Sequence, residues 1–182
     1  MIHLSLFAPL RDQMLSEEYV KLLELLYKDQ HGNVDSHRFQ ILRGVRQGDV
    51  LSPLLFNAVI EHAMQKWKSR LSSEGFALQA DDLVERLTNI RYADDILLFA
   101  KDLNECQFML ESLVEVLREY GLELNMQKTK ILSTHSVPSE QTFLITNQGS
   151  VEILAARSKH KYLGRGFMGD LRQRGVAAVE HR

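Results

Sequence analysis

"IRYADDILLFA", residues 90–100, is the stretch whose reading decides the fold. Two aspartates, Asp94 and Asp95, sit side by side in an otherwise apolar and aromatic run. Successive side chains of a strand point to opposite faces, so adjacent carboxylates share one solvent side only where the chain turns. The stretch therefore predicts a hairpin: a strand over 87–92, a tight turn at Ala93–Asp95 and a strand over 96–100. Two carboxylates 4 Å apart repel by about 4 kcal/mol at an effective dielectric of ~20. A solvated turn tolerates that, and a cleft tolerates it when a hard divalent cation sits between the two acids. Paired aspartates are also common in ordinary turns. What favours a functional reading is the strand from Ile96 to Ala100, which has no polar face and reads as buried on both sides.

Working outward, the chain has 182 residues, 45% of them hydrophobic and 25% charged. That is enough for one domain, or one domain and part of another. No apolar run reaches the ~18 residues that cross a bilayer, and the first residues are too soon broken by charge for a signal peptide. An intracellular location fits, with nucleus or cytoplasm undecided and no membrane partner. The single cysteine, Cys106, excludes an internal disulfide and a cysteine-cluster zinc site. Net charge is −2, which by itself argues against a nucleic-acid partner. The distribution differs: residues 125–182 carry nine Lys and Arg against four Asp and Glu, a net of +5, and residues 1–124 carry thirteen against twenty, a net of −7. A basic last third can face a polyanion or be plain solvated surface.

Helical spacing predicts a helix over 16–30, with Ser16 as cap and Glu17 and Glu18 at the positive end of its dipole. "HGNV" ends it, and 33–43 reads as a short hairpin. "GVRQGD" is a turn bracketed by glycines. Ser52-Pro53 opens a second helix, to about Leu71, with Ser52 as cap. Phe56 and Trp67 on that helix read as core. Short strands are predicted over 75–79 and 87–92, on either side of the acidic "ADDLVER". A helix over 104–120 takes Asn104 as cap and stops at Gly121. Its inward stripe is Cys106, Leu110, Leu113, Leu117 and Tyr120. Strands follow over 122–125, 129–133, 142–146 and 150–154, then "KYLGRGF", and a helix begins near Gly169. The fold class is α+β, an antiparallel sheet with helices packed on one face.

With these residues in place, the chain resembles a reverse transcriptase. "YADDILLFA" resembles that family's signature hairpin. "GVRQGDVLSPLLFNAVIEHAM" (44–64) resembles the motif before it, a Gln-Gly turn leading into a helix opened by Ser-Pro. "GLELNMQKTKIL" (121–132) resembles the motif after it, and "KYLGRGF" (161–167) the Tyr-Leu-Gly strand that grips the primer. All four stand in the family's order. "RQGDVLSPLLFN" and "LNMQKTK" are most similar to the LINE-type (non-LTR) retrotransposon enzymes, with group II intron and retron enzymes more distant.

The resemblance implies a polymerase palm-like sheet over 1–168, truncated at both ends and lacking its first catalytic motif, with 169–182 as the start of a cut thumb helix. It implies an RNA-directed DNA polymerase, a nucleotidyltransferase that uses two Mg²⁺ ions, replaceable by Mn²⁺, with RNA template, DNA primer and dNTP as partners. Asp94 and Asp95 would hold the ions, Asp94 more directly. Tyr92 and Ala93 would lie near the primer end. Arg46, Gln47, Gly48 and Asn57 would line the nucleotide and template side. Lys128 would serve as acid toward pyrophosphate. Tyr162, Leu163 and Gly164 would support the primer backbone. The bland alternatives are surface charges at Arg46, Lys128 and Lys130. The family's further carboxylate would fall at or before Met1, and Asp12, inside a helix pattern, is no substitute. The chain as given is therefore expected not to polymerise. The competing functions are a non-catalytic nucleic-acid-binding remnant and a scaffold without nucleic acid. The oligomeric state is undetermined.

Overall fold

Apolar spacing in the first third of the chain builds helices. The computed structural model describes residues 4–41, 44–45, 48–77, 86–133, 143–147, 149–154, 159–162, 165–168 and 177–179. It opens with α1 (Leu4–Asp12) and α2 (Glu17–Tyr27). Phe7 and Tyr27 meet edge to face, centroids 6.4 Å apart and planes at 75°, the arrangement that ring quadrupoles favour. Ser16 stands at the N-cap of α2, but its side chain makes no capping bond. Glu17 turns to Arg11 instead, at 2.8 Å. That bond holds the Glu17 carboxyl below its ordinary range. At this exposure the pair contributes little to stability.

The next two strands, β1 (His31–Val34) and β2 (His37–Gln40), pair antiparallel from His31 opposite Gln40 to Val34 opposite His37. "HGNV" is thus a strand rather than only the end of a helix. Then comes α3 (Ser52–Lys68). Its cap differs from expectation: the Leu55 N–H bonds to the Leu51 carbonyl at 3.0 Å, which puts Ser52 inside the helix. The Asp49 carboxylate accepts the Leu51 N–H at 3.0 Å, and Ser52 Oγ is buried without a partner.

The chain divides into two compact units, Met1–Lys66 with Val116–Glu123, and Trp67–Glu115 with Leu124–Arg182. In the first, Val20, Leu55, Val59, Ala63 and Met64 form the core. At its side the Tyr120 hydroxyl meets His62 Nδ1 at 2.8 Å, and His62 Nε2 meets Asp12 Oδ2 at 2.8 Å. Asp12 is thereby engaged in a structural chain.

The second unit holds the double-aspartate hairpin. Its strands are β3 (Phe76–Ala77), β4 (Arg86–Leu87), β5 (Asn89–Tyr92), β6 (Asp95–Leu98), β7 (Lys130–Ser133), β8 (Phe143–Thr146), β9 (Gly149–Leu154), β10 (Lys159–Tyr162), β11 (Arg165–Met168) and β12 (Ala177–Val179). The acidic segment 78–85 lies outside the described residues. One helix, α4 (Leu103–Glu119), starts in this unit. Asp102, not Asn104, caps it: the Asp102 carboxylate accepts the Glu105 N–H at 2.8 Å, and the Asp102 carbonyl accepts the Cys106 N–H at 3.0 Å. At the other end Gly121 takes φ +64°. The Leu122 N–H bonds to Leu117 and the Gly121 N–H to Arg118, both at 2.9 Å, the paired bonds of a Schellman stop. The predicted stripe from Cys106 to Tyr120 is buried throughout.

Trp67 is fully buried, and its indole N–H reaches the Met109 carbonyl at 3.1 Å and Ser112 Oγ at 3.0 Å. Four strands form one sheet in the order β12-β7-β9-β8. Within it β7 and β9 run parallel, while its other pairs are antiparallel. The remaining strands form two-stranded antiparallel ribbons. The chain is therefore a mixed α and β fold of helices and several small sheets, where a single antiparallel sheet was expected. No strand forms over 122–125. "KYLGRGF" is a hairpin, with Tyr162 opposite Arg165, rather than one strand. Of the helix expected from 169, residues 169–176 and 180–182 lie outside the described residues, and Ala177–Val179 is a strand on β7. Among the described residues no helix is long and apolar enough to cross a membrane.

Candidate functional site

In the double-aspartate hairpin, β5 and β6 pair from Asn89 opposite Leu98 to Tyr92 opposite Asp95. The Phe99 N–H to Thr88 carbonyl bond, 2.9 Å, extends the ladder at the open end. Only Ala93 and Asp94 remain for the turn. Ala93 takes φ +54° and Asp94 is not among the positive-φ residues, the sign pattern of a type II′ turn. That position suits glycine, and an alanine there carries about 1 kcal/mol or more of backbone strain. Strain of this kind is retained where the surroundings over-determine it, as at functional sites.

A two-residue turn separates the two aspartates, where both were expected at the tip. Asp94 is exposed in the turn, and Asp95 is the first residue of β6 and 6% exposed. Behind it Ile96 and Leu98 are buried, and β12 passes close alongside β6. Asp95 Oδ1 is buried without a hydrogen-bond partner. A carboxylate oxygen in that position is costly unless something compensates it. A hard divalent cation is a fitting compensation, since such ions take carboxylate oxygens. The donors therefore fit Mg²⁺ or Mn²⁺ in kind. In number they are two, and among the described residues no group of three or more His, Cys, Asp or Glu could hold a metal.

The hairpin brings together Tyr92, Ala93, Asp94 and Asp95, with Tyr92 68% exposed beside the acids. Lys128 is exposed on the turn before β7. Asn125 fixes that turn, its carbonyl accepting the Lys128 and Thr129 N–H groups at 3.0 and 2.9 Å. Tyr162 ends β10. In the first unit Asn57 is exposed on α3, and Gly48 takes φ +85° with open space where a Cβ would stand. Arg46, Gln47, Leu163 and Gly164 lie outside the described residues.

One supporting set was not foreseen. Glu105 accepts the Gly75 N–H at 2.6 Å, and Gly75 takes φ +85° with the Leu87 carbonyl 2.6 Å from where a Cβ would be. This ties the start of α4 to the β3–β4 ribbon next to the hairpin in sequence. No local signal marks this tie: Asp102-x-x-Glu105 has the spacing of a capping box, whereas Glu105 accepts the distant Gly75 N–H.

A two-residue turn thus sets an exposed aspartate next to a buried one at the start of β6. The model for "Reverse transcriptase (RNA-dependent DNA polymerase)" matches residues 5–167, and the chain belongs to that family. It is 28% identical over 177 residues to the Retrovirus-related Pol polyprotein from type-2 retrotransposable element R2DM of Drosophila melanogaster, covering 91% of this chain and 16% of that protein. It is 32% identical over 130 residues to the Pol polyprotein from type-1 retrotransposable element R2 of Nasonia vitripennis, covering 67% of this chain and 12% of that one. A transposon-derived protein of Caenorhabditis elegans is 37% identical over 79 residues, 43% of this chain and 28% of that protein. The chain thus spans less than a fifth of the length of the two Pol polyproteins. These relatives identify it as a partial reverse transcriptase domain of a LINE-type element.

Proposed function

We propose that the chain supplies the metal-holding hairpin and the nucleotide-side loop of an RNA-directed DNA polymerase that extends a DNA primer on an RNA template with dNTPs. The observation that carries this is Asp95, a buried carboxylate with an orphaned oxygen, next to the exposed Asp94 in a strained turn. Asp94 and Asp95 hold Mg²⁺ or Mn²⁺, whose chemistry in this family is to activate the primer 3′-hydroxyl and steady the leaving pyrophosphate. Tyr92 and Ala93 bear on the primer end. Arg46, Gln47, Gly48 and Asn57 line the nucleotide and template, the open side of Gly48 leaving room for close approach. Lys128, with its backbone pinned by Asn125, donates a proton toward pyrophosphate. Tyr162, Leu163 and Gly164 carry the primer backbone. The small sheets and α4 make up a palm over 1–168, and 169–182 lead toward a thumb.

Among the described residues no third His, Cys, Asp or Glu is grouped with the two aspartates. We therefore propose that this chain by itself binds primer–template and divalent metal without measurable polymerisation, a rate several powers of ten down when metal charge stabilisation is incomplete. The test pairs two measurements. Mn²⁺ titration should show binding that D94N/D95N abolishes, and primer extension with Mg²⁺ or Mn²⁺ should give no product. Equal Mn²⁺ binding by the double variant would remove the metal role. Template-dependent cDNA would remove the claim of an incomplete ligand set. A non-catalytic nucleic-acid-binding remnant, the second reading, is favoured by the same two-carboxylate count. Under it primer–template binding falls steeply with salt and does not respond to metal.

A further inference from the structure

The double-aspartate hairpin is a two-stranded ribbon, and such a ribbon alone is marginal in water. Its tip carries the acids. At its open end Thr88 leads into β5, and Ala100 and Lys101 follow β6. Both sides of that open end connect to one side chain, Glu105, in the first turn of α4. Glu105 Oε1 accepts the Gly75 N–H at 2.6 Å, and Oε2 meets the Lys101 ammonium at 3.5 Å. The Glu105 side chain is only 12% exposed, and its own N–H is held by the Asp102 carboxylate at 2.8 Å.

Gly75 makes the tie to the strand that enters the hairpin. Its carbonyl accepts from Arg86 Nη1 of β4 at 3.1 Å, and β3 pairs with β4, Phe76 opposite Leu87. Leu87 and buried Thr88 run straight into β5. Lys101 makes the tie to the strand that leaves: its ammonium faces Glu105 and also donates to the Ser73 carbonyl. Glu105 and residues 73–75 therefore hold the entering and the leaving strand in one ring of contacts. The bond from Gly75 to a mostly buried carboxylate is the stronger part, because it is charge-assisted. The half-exposed Lys101 adds less. Such a ring limits how far the two strands can splay. Acids that hold a cation must stay within about 0.5 Å of their working geometry, so splay of the ribbon is what they must be protected from.

We propose that Glu105 is a positioning residue: it clamps the open end of the β5–β6 ribbon and thereby sets Asp94 and Asp95 for a divalent cation. The inference rests on the metal reading above and adds to it a residue that does not touch the cation. The test makes two measurements on the full 182-residue chain. One is Mn²⁺ affinity by titration. The other is amide hydrogen exchange at Phe99, whose N–H closes the ladder onto the Thr88 carbonyl. E105A should weaken Mn²⁺ binding about fivefold, within the range for residues that act without contacting the ligand, and should speed exchange at Phe99. E105Q keeps an acceptor for the Gly75 N–H and should restore both. S112A, a core change on the same helix away from the hairpin, should move neither. K101M cuts the tie on the β6 side and should fall between E105A and the parent, a second reading that stands even where E105A does not fold. Parent-like Mn²⁺ affinity in E105A and K101M would overturn the inference and leave the metal reading standing. An equal loss of affinity in S112A would overturn it too, as general loosening of α4. Failure of the parent chain to bind Mn²⁺ would remove both.

Discussion

Asp94 and Asp95 are bonded neighbours in opposite surroundings: the first is exposed in a two-residue turn, and the second is buried on β6 with Oδ1 unpartnered. An orphaned, buried carboxylate oxygen destabilises the empty protein. D95N keeps the shape and removes the charge. It should therefore stabilise the metal-free chain by about 1–3 kcal/mol, at about 2–4 °C of Tm for each kcal/mol in a chain of this size. The same substitution should abolish Mn²⁺ binding. Thermal melts with and without Mn²⁺ check both at once. A lowered Tm in metal-free buffer would show that Asp95 is satisfied by the protein itself.

Ala93 holds a conformation that L residues avoid, φ +54°. Glycine would relieve that strain but adds freedom to the unfolded chain, and the two effects are of similar size. A93G should therefore lie within about 0.5 kcal/mol of the parent. A93V, with a β-branched side chain at positive φ, should cost about 1–2 kcal/mol. Urea midpoints order the three proteins. Equal stability of A93V and A93G would mean that the turn is unstrained.

What was legible in the sequence, and what was not, follows from the range of the interactions. The hairpin at Asp94 was visible because Ile96 to Ala100 lacks a polar face, a purely local pattern. Its turn was drawn one residue too long, since nothing local says that Asp95 pairs with Tyr92. The caps were misassigned by position: Asp49 lies three residues before Ser52, and Asp102 two before Asn104, so two good acceptors competed within one turn. The parallel pairing of β7 with β9 across the intervening β8 is a long-range choice without a local signature. "KYLGRGF" holds parts of two paired strands, Tyr162 opposite Arg165, within what read as one strand. Of the candidate site, the residues gathered on one hairpin were legible, and the burial that distinguishes Asp95 from Asp94 was not.

Two protons make the fold sensitive to alkali. Burial inside the α4 core pushes the Cys106 thiol up from 9.0 to about 12, and burial also raises the Tyr120 phenol. Both acids hold their protons longer folded than unfolded, so the unfolded chain releases them first. Their contribution is fully present below pH 9 and is lost as pH rises toward 12. Cys106 alone should cost about 1.4 kcal/mol by one pH unit above its ordinary value. Urea midpoints between pH 8 and 11 should fall, and C106A should flatten the decline. Ellman's reagent should leave the thiol unmodified until denaturant unfolds the chain.

Trp67, the single tryptophan, joins α3 to α4 through a shared indole N–H to the Met109 carbonyl and Ser112 Oγ. Ser112 Oγ also donates to the Met109 carbonyl at 3.1 Å, so three groups satisfy one another in a site closed to water. W67F removes the donor and leaves a cavity beside the hydroxyl. The combined loss is about 2–4 kcal/mol, a hydrogen bond and the volume of half an indole. S112A leaves the Met109 bond intact and should cost about 1 kcal/mol. The two substitutions share partners, so the double variant should fall short of additivity by about 0.5–1.5 kcal/mol. Urea unfolding followed by far-ultraviolet circular dichroism measures all four corners without depending on the lost fluorophore. Strict additivity would mean that the indole stabilises the helix pair by packing alone.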